Sequence, residues 1–229
     1  MLDRTPGLLA SWTPDVSGGA RSAAPARGRR PTIDLAGIVA AGVALADAEG
    51  LAGLSMPRVA REVGVTQNAL YRHVASKEEL LVLVYDAGCG DPAPLAGDWR
   101  TAARAWADAL IHRYATRPWL LDVQIRAPFT RNVVRWTEAF LQATRPTGLP
   151  VAARMEFAML LDGHTRHVAT VMRDMAAVPV DSGELAGSLA PLLESAGCPD
   201  YASFLSDPSP MPAGFGIERI LDAMAAYAA

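Results

Sequence analysis

From Ser55 to Val74 the chain reads Ser-Met-Pro-Arg-Val-Ala-Arg-Glu-Val-Gly-Val-Thr-Gln-Asn-Ala-Leu-Tyr-Arg-His-Val. No other stretch limits the possible folds as much. The pattern predicts two short helices joined by a glycine turn. Ala60 is small where the helices must approach closely. Gly64 follows the first helix and can take the left-handed conformation that a sharp stop needs. Val65 and Leu70 then fill the space between the helices. Ser55 and Thr66 are suited to cap the two helices, and Pro57 is tolerated in a first turn. This is a helix-turn-helix, the arrangement that sets a second helix into the DNA major groove.

The flanks fit that reading. Leu35, Ile38, Val39, Gly42, Leu45 and Ala46 recur at helical spacing and predict a helix that Gly50 and Gly53 end. Ser76-Lys-Glu-Glu79 is a capping box, with Glu79 reaching back to the cap, and it opens a helix through Leu80, Leu81, Val84 and Tyr85. Gly88 to Pro94 then interrupts the chain. The expected organisation is a flexible basic arm over residues 1–31, a helix-turn-helix domain over 32–87 and a helical body over 95–229.

In the body, helices are expected from about Trp99 to Tyr114, from Thr130 to Ala143 and from Val151 to Ala177, with a short piece starting at Pro118. In the long helix, Phe157, Leu160, Leu161, His164, Val168 and Val171 fall on one face, with Arg154, Asp162, Arg166 and Arg173 opposite. Residues 181–214 predict one helix from Glu184 to Ser195 and then loop. The last helix carries Ile217, Ile220, Leu221 and Met224 on one side. No strand pair with turn chemistry is visible, and 51% of the 229 residues are hydrophobic. The fold class expected is all-α, a three-helix head plus a helical body.

Charge is nearly balanced at -3 but unevenly placed. Residues 1–33 carry Arg4, Arg21, Arg27, Arg29 and Arg30 against Asp3 and Asp15, whereas residues 180–229 carry seven acids against Arg219. A basic front and an acidic rear orient a molecule toward DNA. No secretory signal is read, and the apolar run Ala36–Ala46 is too short to span a bilayer. A cytoplasmic protein without membrane contact is expected. Cys89 and Cys198 match no zinc spacing and are expected as reduced thiols.

The candidate DNA contacts are Thr66, Gln67, Asn68, Ala69, Tyr71, Arg72, His73 and Lys77, with Ser55 and Arg58 from the preceding helix. Gln and Asn can bond adenine through two edge atoms, and Arg can bond guanine likewise. Ala69 is suited to a thymine methyl. Tyr71, His73 and Lys77 are suited to phosphates, which position without specifying sequence. Arg29 and Arg30, with Arg27, lie just before the first helix. Either they reach the minor groove or nearby phosphates, or they belong to a solvated tail.

The run Gln67-x-x-Leu70-Tyr71-x-His73-Val74-x-x-Lys77 resembles the tetracycline-repressor family of bacterial regulators, and in particular the repressor that gives the family its name. The likeness covers residues 33–85 and continues weakly to Gly214–Leu221. It implies an all-helical homodimer, a ligand-sensing body, and repression relieved by a small molecule. Gln67, Tyr71, His73 and Lys77 match DNA contacts of the family. Asn68, Ala69 and Arg72 depart from the namesake, so its operator does not transfer. The namesake's histidine-rich stretch after the fourth helix is also missing, which weakens tetracycline with magnesium as the ligand.

Candidate pocket residues in the body are Trp106, Tyr114, Trp119, Phe129, Trp136, Phe140, Met159, His164 and His167, with Phe157 and Met172. Such side chains at helical spacing also serve as plain core. His164 and His167 are three apart, but further metal ligands are missing, and neither a metal nor a cofactor is expected. No phosphate-binding loop, nucleophile elbow or metalloprotease helix occurs, so no enzyme is expected. The function expected is a ligand-responsive repressor of a palindromic double-stranded DNA operator, dimeric through residues 151–177 and 215–228. The alternative is a ligand-independent DNA-organising or adaptor protein whose body only dimerises.

Overall fold

The structure, a computed structural model, describes residues 34–124, 129–179, 182–206 and 214–229. All regular elements among them are helical. They are α1 (Leu35–Gly53), α2 (Met56–Glu62), α3 (Gln67–Leu70), α4 (Lys77–Cys89), α5 (Trp99–Thr116), α6 (Arg131–Ala143), α7 (Val151–Ala176), α8 (Ser182–Ser195), α9 (Pro199–Ser206) and α10 (Phe215–Ala228). Short 3-10 turns at Pro118–Asp122 and Arg145–Thr147 link the body helices.

Asp34 starts α1 by accepting the Gly37 amide at 2.8 Å. Gly50, at φ 66°, interrupts it. The helix outruns the apolar run Ala36–Ala46, and by length and composition alone it could cross a membrane. Its Ile38, Val39, Leu45 and Ala46 are instead buried in the head with Leu54, Val59, Leu70, Val74, Leu80 and Val84. Each fully buried aliphatic side chain of this kind stabilises by about 1.5–3 kcal/mol.

The capping box forms with a shift. Ser76 Oγ accepts the Glu79 amide at 3.1 Å, but Glu79 Oε2 accepts the amide of Ala75, at 2.6 Å, one residue further back than expected. Helix α4 then runs to Cys89 and stops at Gly90, φ 59°. The expected boundary at residue 87 therefore falls inside a helix. The first turns of α4 belong to the head core. Its last turn packs on the body, with Gly88 against the Trp119 ring and the Gly88 carbonyl accepting from Arg117 Nη1 at 3.0 Å. Asp47 of α1 joins the same junction, accepting from Trp119 Nε1 at 2.7 Å and Arg117 Nε at 3.1 Å.

The body stacks α7 on α5, flanked by α6 and α10. The buried stripe of α7 is Ala158, Leu161, Thr165 and Ala169. Leu160 and Val171, expected on one face with Leu161, are 57% and 44% exposed, whereas Leu161 is fully buried. Small residues let α7 lie close to α5, and the apolar surface of α7 is wider than that seam. The opposite arginines bond across to neighbouring segments. Arg166 Nη2 donates to the carbonyls of Leu120, Leu121 and Val123 at 3.2, 2.8 and 3.1 Å. Arg173 reaches Asp122 at 2.7 Å, and Arg154 donates to the carbonyls of Leu149 and Leu141. These bonds clamp α7 to the turns beside it.

Where loop was expected after Ser195, α9 forms. Pro199 is its first residue, a position where proline loses no helical hydrogen bond. Helix α9 pairs with α8. Helix α10 buries Ile217, Leu221 and Met224, as its spacing predicts. Arg100 and Arg104 of α5 hold its Glu218 at 2.7 and 2.6 Å. Hydrogen bonds from these two arginines keep that carboxyl below the usual range.

Candidate functional site

The head presents a polar edge. Gly64 takes φ 74°, and Val65 donates its amide to the Ala60 carbonyl at 2.8 Å, closing the turn. Thr66 caps α3, accepting the Ala69 amide at 3.3 Å. The α-helix proper is only one turn, shorter than the sequence suggests. Turns continue it, with His73 and Val74 donating to the Leu70 carbonyl at 2.9 and 3.1 Å. Leu70 and Val74 point inward and are fully buried. Thr66, Gln67, Asn68, Tyr71, Arg72 and His73 are exposed, and Ala69 is half-buried among them. Gln67 Nε2 lies 3.5 Å from the Tyr71 hydroxyl, so the two side chains share one face. Lys77 is exposed at the first turn of α4.

Two neighbours are placed less simply. Ser55 is half-buried at the cap position of α2 and makes no side-chain cap bond. Arg58 is engaged by both carboxylate oxygens of Glu49, so its guanidinium ties α2 to α1. Arg29 and Arg30 lie outside the described residues.

The body contains a cavity of about 720 Å³ between α4, α5, α6 and α7. Of the expected pocket residues, Trp106, Tyr114, Phe129, Trp136 and Met159 line it. Four do not. Trp119 packs on Gly88, and Phe140 lies fully buried with its ring 5.1 Å from that of Trp106. His164 is pressed against Gly216 of α10, and His167 is exposed. Phe157 instead meets the Tyr227 ring at 6.2 Å, and Met172 is exposed. Among the described residues no group of three His, Cys, Asp or Glu could hold a metal.

The sequence reading missed Tyr85, Cys89, Arg113, Met155 and Asp162, which also line the cavity. A signal was present for most of them. Arg113 follows Trp106 and Leu110 at helical spacing, Cys89 follows Tyr85 by four, and Asp162 follows Met159 by three.

The indole N–H groups are both used inside the wall. Trp106 Nε1 donates to the Trp136 carbonyl at 2.8 Å, and Trp136 Nε1 to the Gly90 carbonyl at 2.9 Å. The rings therefore offer apolar faces to the cavity. Burial pushes the Tyr85 and Tyr114 hydroxyls well above the usual phenol range and the Cys89 thiol up to about 12, so all three stay neutral. Burial also raises the Asp162 carboxyl, against the pull of Arg166 and a bond from Tyr114. Among the described residues, nothing here forms a nucleophile–base pair. The cavity is suited to holding a molecule.

Comparison with known proteins agrees with this geometry. The family model described as bacterial regulatory proteins, tetR family, matches residues 38–84. The HTH-type transcriptional repressor DrrR1 of Streptomyces coeruleorubidus is 36% identical over 225 residues, covering 87% of this chain and 80% of that protein. The chain belongs to the tetR family. It is thus a DNA-binding transcriptional regulator, with the all-helical fold of that family. Among solved tetR-family structures, ActR of Streptomyces coelicolor in complex with actinorhodin superposes with a TM-score of 0.72 at 25% identity, covering 86% of this chain and 98% of ActR. ActR in complex with (S)-DNPA gives 0.69 at 25% identity, covering 84% and 97%.

Proposed function

We propose that this tetR-family regulator is a homodimeric repressor that leaves a palindromic operator when a small molecule fills the body cavity. One observation carries the reading. Helix α4 supplies Tyr85 and Cys89 to the cavity wall and Lys77 to the head's outer edge. A ligand that fits best when α4 is tilted away from its DNA-bound position lowers operator affinity. It does so only by its differential affinity for the two arrangements. Two relatives support this: DrrR1 is a repressor, and ActR was solved with small molecules bound.

In this reading, Gln67, Asn68, Ala69 and Arg72 face base edges, while Thr66, Tyr71, His73, Lys77 and Ser55 face phosphates. Arg58 supports α2 from behind through Glu49, and Arg29 and Arg30 reach neighbouring phosphates from the arm. Two copies pair through α7 and α10, whose exposed Leu160, Val171, Met172, Phe215 and Tyr227 need cover. An isologous pair places the two heads on successive major grooves.

The test is an operator titration. Selection from random duplexes supplies the operator, and its affinity is measured for the free protein and for protein saturated with a cavity-binding compound. Induction predicts a weaker complex in the second case. Equal affinity would leave a DNA-binding protein whose body only dimerises.

A further inference from the structure

We infer that the molecule taken by the body cavity is a flat, multi-ring aromatic acid whose anionic group is held by Arg113. The inference rests on the sensing role just proposed and names its chemistry.

Size comes first. About 720 Å³ lies in the range of drug-sized ligand sites, roughly 300–1,000 Å³. A small metabolite would leave most of it empty. Wall chemistry comes next. Trp106, Trp136 and Phe129 supply aromatic surface, and both indole N–H groups are already bonded to carbonyls. Met155 and Met159 on α7 add thioethers, which adapt to ring edges and favour aromatic contact. Such walls reward stacked rings and give little to sugars or peptides.

Charge decides the remainder. Three ionisable residues line the cavity besides the neutral phenols and thiol: Arg113, Asp162 and Glu138. Asp162 has neighbours of its own, since Arg166 and the Tyr114 hydroxyl both draw its carboxyl down. Glu138 is exposed and accepts from Gln142 at 2.8 Å. Arg113 is half-buried, its guanidinium lies beside Gly90, and among the described residues no ion pair or side-chain hydrogen bond engages it. Five other body arginines are paired: Arg100 and Arg104 with Glu218, Arg117 with Asp47, Arg135 with Asp91, and Arg173 with Asp122. A guanidinium left open in an apolar, aromatic cavity is a fork for a carboxylate or an ionised phenol.

Calorimetry with three probes of one framework tests this: anthraquinone-2-carboxylate, its neutral carboxamide, and the cationic aminomethyl analogue. The acid should bind the full-length protein roughly 10- to 100-fold more tightly than the amide, the range of a charge-assisted bond in a sheltered site. Arg113→Met should erase that preference, and Arg113→Lys should keep part of it. A thermal melt like that of the unsubstituted protein confirms that each variant is folded. Equal binding of acid and amide, tighter binding of the cation, binding of none of the three, or a preference unchanged by Arg113→Met would each overturn the inference. Operator release is read separately with the same probes. An acid that binds through Arg113 but leaves operator affinity unchanged supports the ligand class and sinks induction.

Discussion

Asp86 of α4 accepts the backbone N–H of Asn132 at 2.7 Å, in the first turn of α6. Asn132 returns a bond from its side-chain amide to the Asp86 carbonyl at 2.9 Å. Thr130, at the cap position of α6, makes no side-chain cap bond of its own, so a residue 46 positions earlier caps the helix. The pair joins the helix that leaves the head to a helix that lines the cavity.

Removing that acceptor should loosen the join. Asp86→Ala leaves a buried N–H unpaired and is expected to cost about 1–3 kcal/mol in urea unfolding. A loss below the error of the fit would show that α6 needs no outside cap.

The same carboxyl gives a pH signature. Burial raises its pKa in the folded chain above the ordinary carboxylate value. The folded state therefore holds more protons than the unfolded one inside that window. Stability contributed by this group falls as pH rises from about 4 toward the folded pKa, and the loss is complete above it. Asp86→Asn should flatten that slope. Unfolding midpoints for both proteins across acid to neutral pH provide the check, and identical slopes would refute it.

Base reading and phosphate anchoring should separate. Gln67→Ala or Arg72→Ala is expected to lose roughly 1–3 kcal/mol on operator and much less on scrambled duplex. Lys77→Ala should weaken both alike and reduce the salt slope by about one unit. Equal losses on both duplexes for Gln67 and Arg72 would show that neither reads a base.

Two glycines should respond differently to a methyl group. Gly64 has φ 74° and nothing within 4 Å of an added Cβ, so Gly64→Ala costs only backbone strain, about 1–2 kcal/mol. At Gly88 the Cβ would overlap the Trp119 ring. Overpacking of that kind costs about 1–3 kcal/mol. Trp119→Phe, which trims the crowding ring, should recover part of the loss for Gly88→Ala and none for Gly64→Ala. The double variants decide this.

Pairing of two copies through α7 should fail when charge is placed on its exposed apolar side. Leu160 and Met172 are 57% and 61% exposed in the single chain, so Leu160→Glu and Met172→Glu should spare the fold. Sedimentation should then show a monomer with unchanged helix content. A dimer of normal affinity would move the interface elsewhere.

The head was legible because its instructions are local. Thr66 caps Ala69, Ser76 caps Glu79, and Gly64 bends the chain between them, each within a few residues. The cavity was only half legible. Aromatic residues at helical spacing do not say which side of a helix faces a void, so Trp119 and Phe140 read as lining although they pack as core. Arg113 and Asp162 carry the spacing of the cavity wall, but a charged side chain at helical spacing reads equally as a solvated face. The stretch after Ser195 read as loop, yet Pro199 begins α9, where a missing N–H costs nothing. Leu160 and Val171 read as one face with Leu161 because periodicity cannot tell a core from an exposed apolar surface.

Because Leu80 and Val84 sit in the head core while Tyr85 and Cys89 face the cavity, no clean seam divides the two halves. Hybrids that graft this head onto a cousin's trunk must splice within a continuous rod. Those cut after residue 90, carrying the whole rod and restoring its Trp119 and Asn132 neighbours, are the ones that should keep their responsiveness.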